Sequence, residues 1–333
     1  MAAALEAEKT AHRETQHQLE KRQRDADSMR KSWLEAANHL NRALRQGQAV
    51  NQMTDDELIH KAAALRFRIK NFALQFFGDE LKGVHTHTAV DFLSRHLNLS
   101  PRSLRVYLRS SSLRPMLVRS FLWCFLRKAV FGRFRWVPQE ASTAMLDLNR
   151  LLRNLATADG SFTAESAREF HMWRAKTSNL LFEATEPEAA AGYCRQESVA
   201  DAHYIFDMLA PYSAANPQVI GPRLFDIIYQ SLELDKQFSM QVAKLRWTNI
   251  NIPVTAFDPR VMEVDRGQTY ASPEQQVQLV LSPSLEKWGK SSGEDFDLST
   301  TLLKMEVSIQ AQPQSYMGAL YNVFTGTPRG PPA

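Results

Sequence analysis

The chain has 333 residues, 44% of them apolar and 23% charged, with a formal net charge of +4. That length and apolar content can bury a substantial core in one large or two medium domains. Cys124 and Cys194 are the only cysteines, which excludes a disulfide framework and suits a reducing compartment, and the mild global charge makes whole-protein attraction to polyanions a weak argument.

Residues 1–46 contain neither proline nor glycine and read as a long solvated helix. Leu5, His12, Leu19, Ala26, Trp33 and Leu40 recur every seven residues, but the companion positions Lys9, Gln16, Gln23 and Arg30 are polar. The first half is therefore a poor coiled coil. The second half carries a stripe of Ala26, Met29, Trp33, Ala37, Leu40 and Leu44, so Met29, Trp33, Ala37, Leu40 and Leu44 are expected to dock on the body, on a partner helix or on a second copy. The start of the chain lacks an apolar signal core and is too acidic for a transit peptide, which points to an intracellular protein of cytoplasm or nucleus.

Gly47 ends this helix, and Thr54 with Glu57 forms a capping box that opens the next. Leu58, Ala62, Leu65, Ile69, Phe72 and Phe76 then step by four and three, flanked by Ile59, Phe67, Leu74 and Phe77, predicting a wide buried face. His85, His87 and His96 follow. Two histidines two apart share a face only on a strand, and residues 88–97 read as helix, so a structural role is preferred to a metal site.

The stretch 102–136 concentrates bulky apolar side chains and positive charge, with no acid between Asp91 and Glu140. Its apolar part, Met116 to Leu126, falls well short of the roughly 20 residues that cross a bilayer. Ser100 and Pro101 signal a helix start, and Pro115 separates that helix from a second one. Arg102, Arg105 and Arg109 fall on one ridge, and with Arg114, Arg119, Arg127, Lys128, Arg133 and Arg135 they are the candidate residues for an anionic or acidic partner. The competing reading is that arginine stems cover apolar surface while their heads stay wet or pair with acids elsewhere in the fold.

Beyond Trp136, Val137 and Pro138 restart a helix with Met145, Leu148, Leu152 and Leu155 buried. Further helices are predicted over 163–183, 187–209 and 223–243, with residues 211–222 as a loop rich in proline. From Arg246 the composition turns strand-like in WTNINIPVTAFDP, QVQLVLSP and LLKMEVSI, which predicts a small β element packed on the helices. The last residues, TGTPRGPPA, read as disordered. The expected fold is mainly α: a projecting helix at 1–46, a multi-helix body at 53–243, a β-containing cap at 244–310 and a tail at 311–333.

Candidate chemistry is sparse. SLEKWGKS, at 284–291, ends like a phosphate loop but has Ser284 where the turn glycine belongs and bulky Glu286 and Trp288 in the cradle, so it reads as an ordinary connecting loop. Cys194 with His171 or His203 lacks any nucleophile signature. Glu294, Asp295 and Asp297 lack the spaced ligands of a calcium loop; Asp201, Asp207, Asp226, Glu233 and Asp235 lie on predicted helices, but none makes the Glu-x-x-His arrangement of a bundle di-metal site, and no glycine-rich dinucleotide pattern occurs. None of these patterns calls for a cofactor or a metal.

Two stretches, TDDELIHKAAALRFRIKNFALQFFG (54–78) and SPSLEKWGKSSGEDFDLSTTLLKMEV (282–307), resemble segments that recur in uncharacterised proteins of filamentous fungi, often with an amino-terminal coiled coil. The resemblance implies a helical body followed by a defined carboxy-terminal segment, and no activity. The expected function is that of a non-enzymatic scaffold that self-associates or binds a partner through the N-terminal helix and meets an acidic surface with the basic ridge. The alternatives are a binder of nucleic acid or of an anionic membrane surface using the same ridge, and an enzyme with a pocket between helices near Cys194 and His203.

Overall fold

The computed structural model describes residues 51–80, 87–97, 99–157, 164–249, 255–265 and 275–309, together with 16, 18–19, 21–29 and 31–32. Residues 1–50 and 51–333 form two separate compact units. The described part of the first unit is helical and exposed, Leu19 and Met29 included. Trp33, Ala37, Leu40 and Leu44 lie outside the described residues, as does the tail from 310 onward.

The second unit is mainly helical, with six short strands among the described residues of its carboxy-terminal side. Helix α1 spans Asp55–Phe77, and both halves of its capping box are made: the Thr54 hydroxyl accepts from the Glu57 N–H at 3.3 Å, and the Glu57 carboxylate accepts from the Thr54 N–H at 2.8 Å. Thr54→Ala should cost about 1 kcal/mol in a chemical melt; an unchanged midpoint would show that Met53 and Gln52, bonded to the far end of the fold, hold this terminus instead. The predicted stripe is buried from Leu58 to Phe76. Phe67 and Leu74 are exposed, however, because each sits two residues, about 200°, from the stripe positions Leu65 and Phe72.

Helices α2 (His87–Leu97) and α3 (Pro101–Arg109) lead into α4 (Arg114–Ala129), which is buried on all sides from Leu117 to Leu126 and packs against α1, α2 and the sheet. The apolar part of the 102–136 stretch thus lies at the centre of the core. Helices α5 (Gln139–Thr157), α6 (Ala164–Ala184), α7 (Pro187–Leu209) and α8 (Pro217–Ser239) complete the helical layer. On α5, Met145 is buried and Leu152 half-buried, while Leu148, expected inside, is exposed; the side chain of Leu155 lies outside the described residues. Helix α8 starts six residues before the expected Arg223. Asn216 caps it by accepting from the Gln218 N–H at 2.9 Å, and Pro217 occupies the first helical position, where a missing N–H costs nothing. Pro222 forfeits one bond on an exposed side of the helix.

The strands are β1 (Lys244–Thr248), β2 (Met262–Val264), β3 (Leu279–Ser282), β4 (Ser284–Trp288), β5 (Ser299–Leu303) and β6 (Met305–Ser308). They form two sheets, ordered β1-β4-β5 and β2-β6-β3, antiparallel except for the β2–β6 pair. Only Pro283 separates β3 from β4, and only Lys304 separates β5 from β6, so one long hairpin bends at these residues and contributes to both sheets. Ser284–Trp288 is accordingly a strand and not the connecting loop expected; the turn begins at Gly289. There the backbone holds φ +75° and an added β-carbon would stand 2.6 Å from the Phe296 ring, so only glycine fits. Leu279, Leu281 and Leu285 join the helical core, whereas Val280 joins a smaller cluster with Phe257, Met262, Val277, Met305 and Val307.

Candidate functional site

The nine basic candidates divide into three groups. Arg102, Arg105 and Arg109 are exposed on α3. At about 100° per residue they lie within about 60° of one another, opposite the buried Leu104, Tyr107 and Leu108. Ser100 caps this helix by accepting from the Ser103 N–H at 3.1 Å. Among the described residues, none of the three guanidinium groups has a carboxylate partner.

Arg114, Arg119 and Arg135 do not belong to an outward ridge. Arg114 is 1% exposed and donates to the carbonyls of Leu108 (2.8 Å), Phe77 (3.2 Å) and Asp79 (2.7 Å), tying the ends of α1 and α3 together. Burial lowers its pKa, partly offset by Asp79. Arg119 lies in the wall of α4 that faces the β2-β6-β3 sheet and pairs with Asp265 at 2.9 Å and with Glu306. Lys70 of α1 takes the other Asp265 oxygen at 2.6 Å, and Arg66 donates to the Pro283 carbonyl beside Glu263. Burial brings Arg66 down to about 10. Arg135 binds Glu197 and Asp201, the latter at 2.7 Å, and so fastens the chain after α4 to α7. Arg119 and Arg135 pair with acids elsewhere in the fold, as the competing reading has it, whereas Arg114 donates to backbone carbonyls. Their acceptors lie up to 187 positions away, beyond any local periodicity.

Arg127, Lys128 and Arg133 form the third group, at the end of α4 and in the turn that follows. Lys128 and Arg133 are exposed, with the Arg133 Nε donating to the Lys128 carbonyl at 3.0 Å; Arg127 is half-buried beside a cavity.

No protein-family model, curated protein or solved structure matches this chain. What the site does must be read from its own chemistry.

Cys194 and His203 share α7 but lie nine positions, about 13–14 Å, apart. Cys194 is buried and its thiol is pushed up to about 12, first by burial and then by Glu233, so it is not a thiolate nucleophile; His203 is exposed. His171 is buried against the Phe296 ring, 4.6 Å between centroids. His96 bonds the Phe92 carbonyl at 3.0 Å through Nδ1, and Cys124 donates to the His96 carbonyl at 2.9 Å. His85 and the side chain of His87 lie outside the described residues. Lys290, the lysine of the loop resembling a phosphate loop, pairs with Asp295 at 2.6 Å, and strand β5 follows where a phosphate-binding helix would have to stand. Among the described residues no group of three or more His, Cys, Asp or Glu is placed to hold a metal, and no helix is long and apolar enough to cross a membrane.

Sequence reasoning missed a cavity of about 410 Å³ between the end of α4, α6, α8 and β1. Its residues come from separate elements, so no spacing in the chain announces it. The turn beside it is tight: Gly132 has φ 73°, and Phe134, buried, holds φ 55°, which costs a residue with a β-carbon about 1–2 kcal/mol. Asp235 of α8 fixes that turn by accepting from the Gly132 N–H at 2.6 Å.

Proposed function

We propose that this protein is a non-enzymatic interaction protein that receives an acidic protein surface on α3 through Arg102, Arg105 and Arg109. The observation that carries this reading is that these three guanidinium groups, unlike the buried Arg114 and the acid-paired Arg119 and Arg135, are exposed and lack carboxylate partners among the described residues. The opposite side of α3 is buried and its start is capped, so the charges sit on a fixed platform. The positions span about 10 Å along the axis, which suits two turns of an acidic helix. A nucleic-acid groove would call for a longer basic track. Self-association through the Met29 face of the N-terminal helix is the second contact of this reading, supported by the exposure of Met29.

The test is a titration with a glutamate-rich helical peptide, set against single-stranded and duplex oligonucleotides at two salt concentrations. The R102A/R105A/R109A variant should bind the peptide at least tenfold more weakly with its circular dichroism unchanged, and deletion of residues 1–46 should lower the mass seen in sedimentation. Peptide binding unaffected by the triple substitution would falsify the docking face. Tighter binding of oligonucleotide, falling steeply with salt, would transfer the face to nucleic acid.

A further inference from the structure

The cavity beside the 130–134 turn has no part in the docking role above, yet it has features that packed interiors avoid. Asp235 lines it and is 2% exposed; its Oδ1 takes the Gly132 N–H and the Phe134 N–H stands near the carboxylate, but Oδ2 has no partner in hydrogen-bonding geometry. Trp247 of β1 lines it too, is 3% exposed, and leaves its indole N–H unpaired. A buried polar atom without a partner costs about 1–3 kcal/mol, so two on one cavity point to a ligand that completes them. They offer an acceptor and a donor side by side with aromatic rings: Phe131 and Phe238 pack on Trp247 with centroids 5.6 and 6.2 Å away.

The charge around this cavity is positive. Arg127 and Arg246, half-buried and exposed, line it without a carboxylate partner among the described residues; Glu286 stands opposite Arg246 in the strand register but makes no ion pair with it. Arg174 lines it as well, turned to the carbonyls of Val242 and Ala243 at 3.3 and 3.0 Å. Volume, flat rings, one acceptor, one donor and unpaired guanidinium groups together describe the requirements of a small heteroaromatic anion.

We propose that this cavity binds a nucleoside monophosphate: a base N–H is accepted by Asp235 Oδ2, a ring acceptor takes the Trp247 N–H, and the phosphate rests between Arg127 and Arg246. Burial holds the Asp235 carboxyl up at about 7, so near neutral pH it exchanges readily between acceptor and donor and suits a base edge that offers both.

Calorimetric titration of the full chain with GMP and with AMP tests this, using guanosine, adenosine and inorganic phosphate as the separated halves. One of the two nucleotides should bind saturably below millimolar concentration and at least tenfold more tightly than its own nucleoside or phosphate. Arg246→Ala, at an exposed position, should weaken that nucleotide about tenfold and its nucleoside not at all, whereas Asp235→Asn should weaken both. The proposal is overturned by absence of saturable binding up to 5 mM, by phosphate or the matching nucleoside binding as tightly as the nucleotide, or by affinities that both substitutions leave unchanged. The residues tested here are separate from the α3 arginines, so the two readings stand or fall independently.

Discussion

Arg119→Met should lower folding stability by about 3–5 kcal/mol, the usual cost of removing one member of a buried ion pair. Methionine keeps most of the stem that packs in α4 but leaves Asp265 and Glu306 facing an apolar wall. Arg119 is 3% exposed and its two acceptors 11% and 21%, so water can restore little of the lost solvation. Lys70 still holds Asp265, and the Ser282 hydroxyl still reaches Glu306 at 3.3 Å, which sets the expectation toward the lower end of that range. Adding Asp265→Asn and Glu306→Gln to Arg119→Met should recover part of the loss, because the stranded acids become neutral while Lys70 and Arg66 lose acidic neighbours in turn. Urea melts of the single and triple variants decide the matter. A single-variant loss below about 1 kcal/mol would mean that the cluster is hydrated and does not fasten the sheets to the helices.

Asp235 should dominate the pH dependence of stability on the acid side of neutrality. Burial raises its carboxyl to about 7, against the pull of the Gly132 and Phe134 N–H groups and of Arg174. Between the ordinary aspartate range and about pH 7 the folded chain therefore keeps a proton that the unfolded chain has released. Stability should rise as pH falls through 7 toward 4 and level off below, with the penalty of the buried carboxylate fully present above 7. At about 1.4 kcal/mol per pH unit the change is on the order of 4 kcal/mol. Asp235→Asn preserves an acceptor for the Gly132 N–H and removes the titration, so this variant should be the more stable at pH 8 and nearly flat between pH 5 and pH 8. Arg127, His171, Arg174 and Lys244 line the same cavity and remain in both proteins, which makes the difference between the two profiles specific to residue 235. Parallel profiles would show that the carboxyl is ionised throughout.

What the sequence disclosed were features whose causes are local. The Thr54 capping box, the Ser100–Pro101 start, the Pro187 start and the stripe from Leu58 to Phe76 each depend on side chains within a turn or two, and each stands as read. Spacing could not separate Arg102 from Arg119, since both carry the same charge at helical positions; what distinguishes them is a carboxylate 146 positions downstream. Ser284–Trp288 escaped notice because its strand character comes from β1 and β5 on either side, and not from its own alternation. Asp235 lies in a helix predicted from its apolar periodicity, and no neighbour in sequence marks it out. The unpaired oxygen of Asp235 became visible only once the turn at Gly132, the middle of α6 and Trp247 were placed around it.

Because Pro283 and Lys304 are bends and not breaks, the two sheets have no separate existence. The turn after Gly289 is the closed end of a zip whose teeth run through β4 and β5 and then, past the bends, through β3 and β6. At its far end the Arg119 charges on α4 hold Glu306 and Asp265, one on the last strand and one just past β2. The strands of both sheets are therefore continuous through these bends, and an arginine buried in the middle of the chain ties their far end to the helices.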